Sequence, residues 1–185
     1  MSLAFGFLDK RPILIALAGS NGAGKFTFYQ SYLADGGLFV KSHDLSASLG
    51  LLPYDAAKLA KSLRTELVRS RERFIFETML SDPVGEQVDQ LASYATLGYT
   101  VVLICIRIES PDESIRSVAM RICRRGRDVF DEKLRYRIAR TQANLQRAIQ
   151  RLPHVIVFSN DDLRDPVQFV TYHENGPKIE RKKNG

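Results

Sequence analysis

The sequence predicts an α/β fold in which a mostly parallel sheet carries helices on both faces. Short apolar runs alternate with segments of helical pattern, an order typical of right-handed βαβ units. The first run, residues 13–18, is apolar throughout, which indicates a strand buried on both faces. A glycine-rich turn joins it to the next helical segment, as in folds that bind phosphate at such a turn.

The other elements follow from apolar runs and from helix start and stop signals. Further strands are expected at residues 38–40, 74–76, 99–108 and 155–158, with a final hairpin of residues 167–172 and the chain after the turn at 174–176. Helices are expected at residues 25–33, 56–72, 84–97, 110–123 and 131–152, with a polar loop at 124–130. We therefore expect one domain over residues 1–175 and a disordered basic tail over residues 176–185.

Composition excludes some classes of protein. A chain of 185 residues with 44% hydrophobic and 26% charged residues suits one globular domain. No apolar run approaches the ~20 residues that a membrane helix needs, and residues 5–8 are too short for a signal peptide core. The two cysteines and three histidines recur at no metal or disulfide spacing. We expect a cytoplasmic protein with no membrane partner.

The net charge of +6 is concentrated in arginines between residues 107 and 151 and in the last ten residues. An enzyme that handles phosphate needs such clustered cations, and we favour this explanation over nucleic-acid binding. Binding to nucleic acid is the alternative, and it would show as salt-sensitive binding to any duplex.

The strongest local motif begins at Gly19 and ends at Lys25. It lies between a predicted strand and a predicted helix, the context that defines a P-loop, or Walker A motif. Backbone N–H groups of such a loop surround phosphate oxygens, and its lysine reaches the β- and γ-phosphates. A chance glycine-rich turn is the alternative. The residues predicted to bind ATP or GTP are Gly19, Ser20, Asn21, Gly22, Ala23, Gly24, Lys25 and Thr27.

The motif departs from its pattern directly after the lysine. This position normally carries Ser or Thr, whose hydroxyl binds Mg²⁺, and here it carries Phe26. Thr27 is rotated by roughly 100° around the helix and is a poor substitute. No metal ligand is therefore assigned. Either the protein has lost normal Mg²⁺ coordination, or this copy carries an inactivating change.

Four segments between residue 13 and about residue 160 form a further pattern. They are Leu17 to Lys25, His43-Asp44-Leu45-Ser46-Ala47 with Pro53 beyond it, Phe74 to Ser81, and Arg121 to Val129 followed by Arg137 and Asn144-Leu145. The first segment alone is generic, but the order and spacing of all four resemble the zeta toxin family of P-loop kinases.

The resemblance implies transfer of the γ-phosphate of ATP or GTP, with Mg²⁺, to a hydroxyl of a small substrate. Better-known members of the family act on UDP-N-acetylglucosamine or a related UDP-amino sugar at the 3′-hydroxyl. They poison cell-wall synthesis and are held inactive by a small helical antitoxin. Two alternatives stay open: a housekeeping metabolite kinase on the same fold, and a nucleotide-binding module that Phe26 leaves without catalysis.

The resemblance also assigns roles to residues. Asp44 would be the general base that accepts the substrate's hydroxyl proton, although its context also fits a helix N-cap. Glu77 and Thr78 would bind substrate, and a solvated strand end is the alternative. Asn160 follows the last parallel strand, where it could contact the nucleotide base or form an ordinary turn.

The arginines between residues 121 and 137 are predicted to form a mobile cationic lid. Arginine side chains neutralise the charge that spreads over the transferred phosphoryl group. By resemblance, Lys25, Arg121 and Arg137 would be catalytic. Arg124 and Arg125 match the family less well, and a solvated helix face is the alternative for each arginine. Arg127 and Phe130 stand where the family usually has His and Pro, so the geometry of this loop is expected to differ.

Overall fold

The computed structural model describes residues 5–108, 131–161 and 167–179. It contains a seven-stranded sheet in the order β2-β3-β1-β4-β5-β6-β7. The strands are β1 Ile13–Ala18, β2 Leu38–Val40, β3 Phe74–Thr78, β4 Thr100–Arg107, β5 His154–Ser159, β6 Gln168–Glu174 and β7 Lys178–Ile179. Strands β1 to β5 are parallel and β6 and β7 antiparallel, which confirms the mostly parallel sheet.

The helices agree with the sequence in order but not in every boundary. They are α1 Lys25–Tyr32, α2 Ser42–Leu49, α3 Pro53–Arg69, α4 Glu86–Thr96 and α5 Asp131–Arg151, with a 3-10 turn at Gly6–Asp9. Helix α3 begins at Pro53 and not at residue 56, because proline is well placed at the first helical position. Helix α2 was not predicted, since it buries no side chain and its Ser-rich sequence has no apolar stripe.

Two apolar layers lie on opposite faces of the sheet and confirm helices on both. Leu14 and Ala16 of β1 face the layer that contains side chains of α3, α4 and α5. Ile13 and Ile15 face the layer that contains Phe28 of α1. Side chains of one strand alternate between its faces, so an apolar run without alternation is what a strand covered on both sides requires.

The predicted C-terminal hairpin is present and extends further than expected. Strand β7 pairs with β6, with His173 opposite Lys178, around a turn that contains Asn175 and Gly176. Residues 178–179 therefore belong to the sheet, although they lie in the segment expected to be a disordered tail, because ladder hydrogen bonds order them. The predicted helix at 110–123, the loop at 124–130 and the tail beyond residue 179 lie outside the described residues.

None of the helices in the described ranges has the length and apolar composition that crossing a membrane demands.

Candidate active site

The glycine-rich loop lies against the carboxyl ends of β4 and β5. Gly19 has φ 147°, and a Cβ on it would lie 2.3 Å from the backbone oxygen of Ile106. Gly24 has φ 85°, and a Cβ there would lie 2.8 Å from Nδ2 of Asn160. Glycine alone fits both positions. Gly24 is also the N-cap of α1, so the loop opens a helix whose first N–H groups can bind an anion.

Lys25 is buried and folded back onto this loop. Its Nζ donates hydrogen bonds to the backbone oxygens of Gly19 at 2.8 Å and Ser20 at 3.0 Å. The same atom lies 3.3 Å from Oε1 of Glu77. Because β1 and β3 are parallel neighbours, with Leu17 opposite Glu77, the two predicted site residues meet at one edge of the sheet.

Two polar atoms of this region are buried without a hydrogen-bond partner among the described residues. They are the hydroxyl Oγ of Ser20 and Oε2 of Glu77. An unsatisfied buried polar group costs about 1–3 kcal/mol, and most buried polar groups in proteins therefore have a hydrogen-bond partner. A phosphate oxygen would satisfy the Ser20 hydroxyl, and a hydroxyl or a bound water would satisfy the Glu77 oxygen.

A cavity of ≈ 820 Å³ opens beside the loop, between the first turn of α1, the segment after β2, and helices α3 and α4. Its volume is in the range that holds a small-molecule ligand. The loop contributes Asn21, Gly22, Gly24 and Lys25, and both Phe26 and Thr27 also line the cavity. The other polar lining residues are Lys41, Ser42, His43, Arg64, Glu77, Thr78, Gln87 and Gln90.

Thr78 is fixed by hydrogen bonds at the end of β3. Its Oγ1 donates to Oε1 of Gln87 and accepts from the backbone N–H of Leu80 at 3.1 Å. Gln87 and Gln90 of α4 were not predicted as site residues. Polar residues on one side of a helix are common, so the sequence did not mark these two as site residues. They line the cavity because of the way α4 packs in the fold.

Side chains of helix α5 donate hydrogen bonds to the segment that follows Thr78. Thr141 donates to the backbone oxygen of Met79 at 2.9 Å, and Asn144 donates to the backbone oxygens of Leu80 at 3.0 Å and Asp82 at 2.8 Å. Leu80 is fully buried with φ 52°, a conformation that neighbours must stabilise in a branched residue. The sequence resemblance included Asn144 but assigned it no role. In the structure its hydrogen bonds hold the segment that follows Thr78.

Asp44 lies in the first turn of α2, where a carboxylate is favourable to the helix dipole. The N-cap of that helix is Lys41, so the alternative that Asp44 caps a helix is wrong. Its side chain is 57% exposed, and its Oδ1 lies 3.2 Å from Nζ of Lys41. Residues 41–43 line the cavity but Asp44 does not, and its role as general base stays a prediction.

Phe26 occupies the position at which a Mg²⁺ ligand is expected. Its ring is 48% exposed, lines the cavity and carries the Nζ of Lys41 above it, 4.6 Å from the ring centroid. The described residues contain no group of three or more His, Cys, Asp or Glu able to hold a metal ion. A hard cation requires oxygen ligands, so the residues present do not fit Mg²⁺ at its usual place.

Of the arginines assigned by name to the lid, Arg137 alone lies among the described residues. Arg121, Arg124, Arg125 and Arg127 lie outside the described residues, and so does the predicted lid. Arg137 lies in α5 and does not line the cavity.

Arg64, which was not predicted, lines the cavity with its guanidinium over the ring of Phe76 at 4.8 Å. Burial lowers the pKa of Arg64. The only sequence pattern that could have indicated Arg64 as a cavity residue is its spacing from Ala57 and Ala60 on one face of α3.

Asn160 braces the phosphate loop from behind. Its Nδ2 donates to the backbone oxygen of Ala23 at 3.1 Å, and its Oδ1 accepts from the backbone N–H of Val167 at 3.2 Å. Both ends of the amide are therefore engaged, the nitrogen with the loop and the oxygen with the residue before β6. The predicted contact with a nucleotide base stays a prediction.

A family model described as zeta toxin matches residues 40–175, which is more than half of the chain. A search of curated proteins found no match.

Solved structures share the fold at low sequence identity. A chain of the AvrRxo1-ORF1:-ORF2 complex with ATP has a TM-score of 0.70 at 16% identity, with 92% of this chain and 61% of that chain covered. A chain from the PezAT toxin-antitoxin system of Streptococcus pneumoniae has a TM-score of 0.64 at 19% identity, with 89% of this chain and 72% of that chain covered. Shikimate kinase from Acinetobacter baumannii, in complex with shikimate, has a TM-score of 0.52 at 15% identity, covering 77% and 82%.

The present chain thus spans about three fifths of the length of the AvrRxo1 chain it matches. These likenesses confirm a P-loop kinase fold.

Proposed function

The chain belongs to the zeta toxin family, and from that premise we propose that it transfers the γ-phosphate of ATP or GTP to a hydroxyl group of a small substrate. The observation that carries the proposal is the meeting of the phosphate loop, Lys25 and Glu77 at one end of a cavity of ≈ 820 Å³. This arrangement supports binding of the triphosphate and of the acceptor side by side, as a transfer reaction requires.

The loop end of the cavity suits the triphosphate. N–H groups at the start of α1 and the Ser20 hydroxyl can donate to phosphate oxygens, and Lys25 supplies a positive charge at the same point. On binding, phosphate oxygens would replace the carbonyl oxygens of Gly19 and Ser20 around the Lys25 ammonium. A neighbour of the same fold, in the AvrRxo1 complex, was solved with ATP, which supports this assignment.

In the transfer step the acceptor oxygen forms a bond to the γ-phosphorus. The bond from that phosphorus to the β–γ bridging oxygen breaks, and ADP or GDP leaves. We assign the acceptor proton to Asp44, in the first turn of α2 directly after the cavity-lining residues 41–43. Glu77 and Thr78 hold the substrate, and Arg121 and Arg137 neutralise the developing charge. Because Phe26 follows Lys25, no part of this step is assigned to a metal.

For the acceptor we propose a UDP-N-acetyl amino sugar such as UDP-N-acetylglucosamine, phosphorylated in the cytoplasm. The far side of the cavity offers the hydrogen-bonding side chains of Arg64, Gln87 and Gln90, which suit a polar, hydroxyl-rich molecule. We also propose that the chain acts as the toxin of a toxin-antitoxin pair. The similarity to a chain of the PezAT system supports this role.

The test compares the wild type, Phe26→Ser and Phe26→Ser/Asp44→Ala with ATP, Mg²⁺ and a panel of nucleotide sugars. Product is followed by its mass and by ADP release. A restored hydroxyl ligand should raise turnover of one sugar at least about tenfold, and removal of the base should abolish it. Absence of a phosphorylated product with every sugar and every variant would contradict the proposal.

A second candidate is a nucleotide-binding module without catalysis, and the exposed Phe26 ring at the metal position favours it. This candidate predicts ATP binding without turnover both in the wild type and after Phe26→Ser. The same set of variants therefore separates the two functions.

A further inference from the structure

Lys41 and Phe26 form a contact beside the phosphate loop that the proposed reaction does not use. The ammonium of Lys41 lies over the Phe26 ring, 4.6 Å from its centroid. We propose that this ammonium supplies, next to a bound triphosphate, the positive charge that a divalent cation would otherwise bring, so that the chain binds nucleotide without Mg²⁺. The inference rests on the proposed function, because it presumes that nucleotide binds at this loop.

The position of Lys41 follows from the sheet. It comes directly after β2, and β2, β3 and β1 run parallel side by side. Their carboxyl ends therefore lie at the same edge, where the loop after β1 and Glu77 at the end of β3 also lie. Both Lys41 and Phe26 line the cavity that opens beside the loop. The contact between Lys41 and Phe26 therefore lies beside the proposed phosphate site.

The chemistry of the contact leaves the ammonium able to bind phosphate. The face of an aromatic ring attracts a cation through its quadrupole and takes none of its N–H donors. Lys41 is 19% exposed, so it is partly desolvated, and its carboxylate partner is Asp44 at 3.2 Å. Asp44 is 57% exposed and can be rehydrated at low cost, whereas a triphosphate carries several negative charges. Exchange of the carboxylate for phosphate oxygens is therefore favourable.

The chain offers a matched control for a lysine that only packs on a ring. On α3, Nζ of Lys58 lies 4.5 Å from the ring centroid of Tyr54. The distance from ammonium to ring centroid is nearly the same in the two contacts, but neither Lys58 nor Tyr54 lines the cavity. If removal of a lysine from an aromatic ring had a general effect, substitution of Lys41 and substitution of Lys58 would both show it. Loss of a phosphate contact would appear only on substitution of Lys41.

The experiment is titration calorimetry of ATP in excess EDTA and in Mg²⁺. Wild-type affinity should change less than about threefold between the two conditions. In EDTA, Lys41→Met should weaken binding about tenfold or more, since it removes a charged donor but keeps the aliphatic chain, and Lys41→Arg should restore most of it. Lys58→Met should bind as the wild type does.

Two results would overturn the inference while leaving the proposed function intact. One is wild-type binding that appears only with Mg²⁺, and the other is equal affinity of Lys41→Met and wild type in EDTA. Failure of the wild type to bind ATP in either condition would instead overturn the proposed function, and the inference with it. Phe26→Ser should bind more tightly in Mg²⁺ than in EDTA, because the serine hydroxyl adds a metal ligand and the ring under the Lys41 ammonium is removed.

Discussion

The Nζ of Lys25 lies 3.3 Å from Oε1 of Glu77, and this ion pair joins the phosphate loop to the end of the neighbouring strand. Both side chains are largely buried, at 6% and 24% exposure. A buried charge without its partner is unfavourable, so each residue depends on the other. A triphosphate would add a second anionic partner to the same ammonium.

Removal of the lysine charge should therefore destabilise the protein through Glu77. We expect Lys25→Met to lower the free energy of unfolding by about 2 kcal/mol, because it leaves a buried carboxylate unpaired. Lys25→Met/Glu77→Gln should recover part of that loss. Urea denaturation of the two single variants and the double variant measures the coupling. Strictly additive effects would show that the two side chains do not interact.

Asn160 should act on the loop and not on the nucleotide base. Asn160→Ala removes the hydrogen bond to the backbone oxygen of Ala23, and should weaken binding of ATP and GTP by the same factor. It should also lower the free energy of unfolding by about 1 kcal/mol. Binding titrations of the wild type and the variant with ATP and with GTP measure the two losses in affinity. A change in the preference between adenine and guanine would support the base contact instead.

Asn144 should be a positioning residue for Glu77 and Thr78. Asn144→Ala leaves the backbone oxygens of Leu80 and Asp82 without their donor, at a cost of about 1–3 kcal/mol in the free energy of unfolding. The apparent KM for the acceptor should rise more than kcat falls, because the displaced segment follows the substrate-binding pair. Gln146→Ala, an exposed change on the same helix, is the control, and an equal effect of both changes would contradict the role of Asn144.

Stability should fall in mild acid through His154. Burial lowers the pKa of this imidazole, against a smaller opposing effect of Glu174, and its Nδ1 lies 2.9 Å from the hydroxyl of Tyr172. The folded chain therefore holds His154 neutral, while the unfolded chain takes up a proton below about pH 6.5. Its contribution to stability is present above that pH and is lost as the pH falls through the folded pKa.

The comparison that isolates His154 is the pH dependence of unfolding in the wild type and in His154→Gln. The wild type should lose more stability between neutral and mildly acidic pH than the variant does. His43→Gln is the control, since His43 is 62% exposed, and it should follow the wild type. Identical slopes for wild type and His154→Gln would contradict the prediction.

Local patterns were sufficient to predict the framework of the fold. Residues 13–18 are apolar without interruption because both faces of β1 are covered. Gly19 and Gly24 are required by close contacts with the backbone of Ile106 and the side chain of Asn160. Lys25 and Glu77 were both predicted as site residues, although the ion pair between them was not. These features depend on chain neighbours or on the rules of parallel sheets.

Other parts of the site depend on contacts between distant segments and left little trace in the sequence. Helix α2 buries no side chain, so no apolar stripe marked it. Gln87 and Arg64 reach the cavity only because α4 and α3 pack beside it. The place of Lys41 over Phe26 could not be predicted either, because it depends on a side-chain contact between α1 and the segment after β2 that no local pattern marks.

The central claim is that the loop from Gly19 to Lys25 binds the phosphates of a nucleoside triphosphate. The most direct measurement is calorimetric titration of the wild type and of Lys25→Met with ATP and with AMP. We expect saturable binding of ATP at one site, much weaker binding of AMP, and a loss of at least about tenfold in ATP affinity in Lys25→Met. Equal affinity of the two proteins for ATP, or no binding of ATP by the wild type, would contradict the claim.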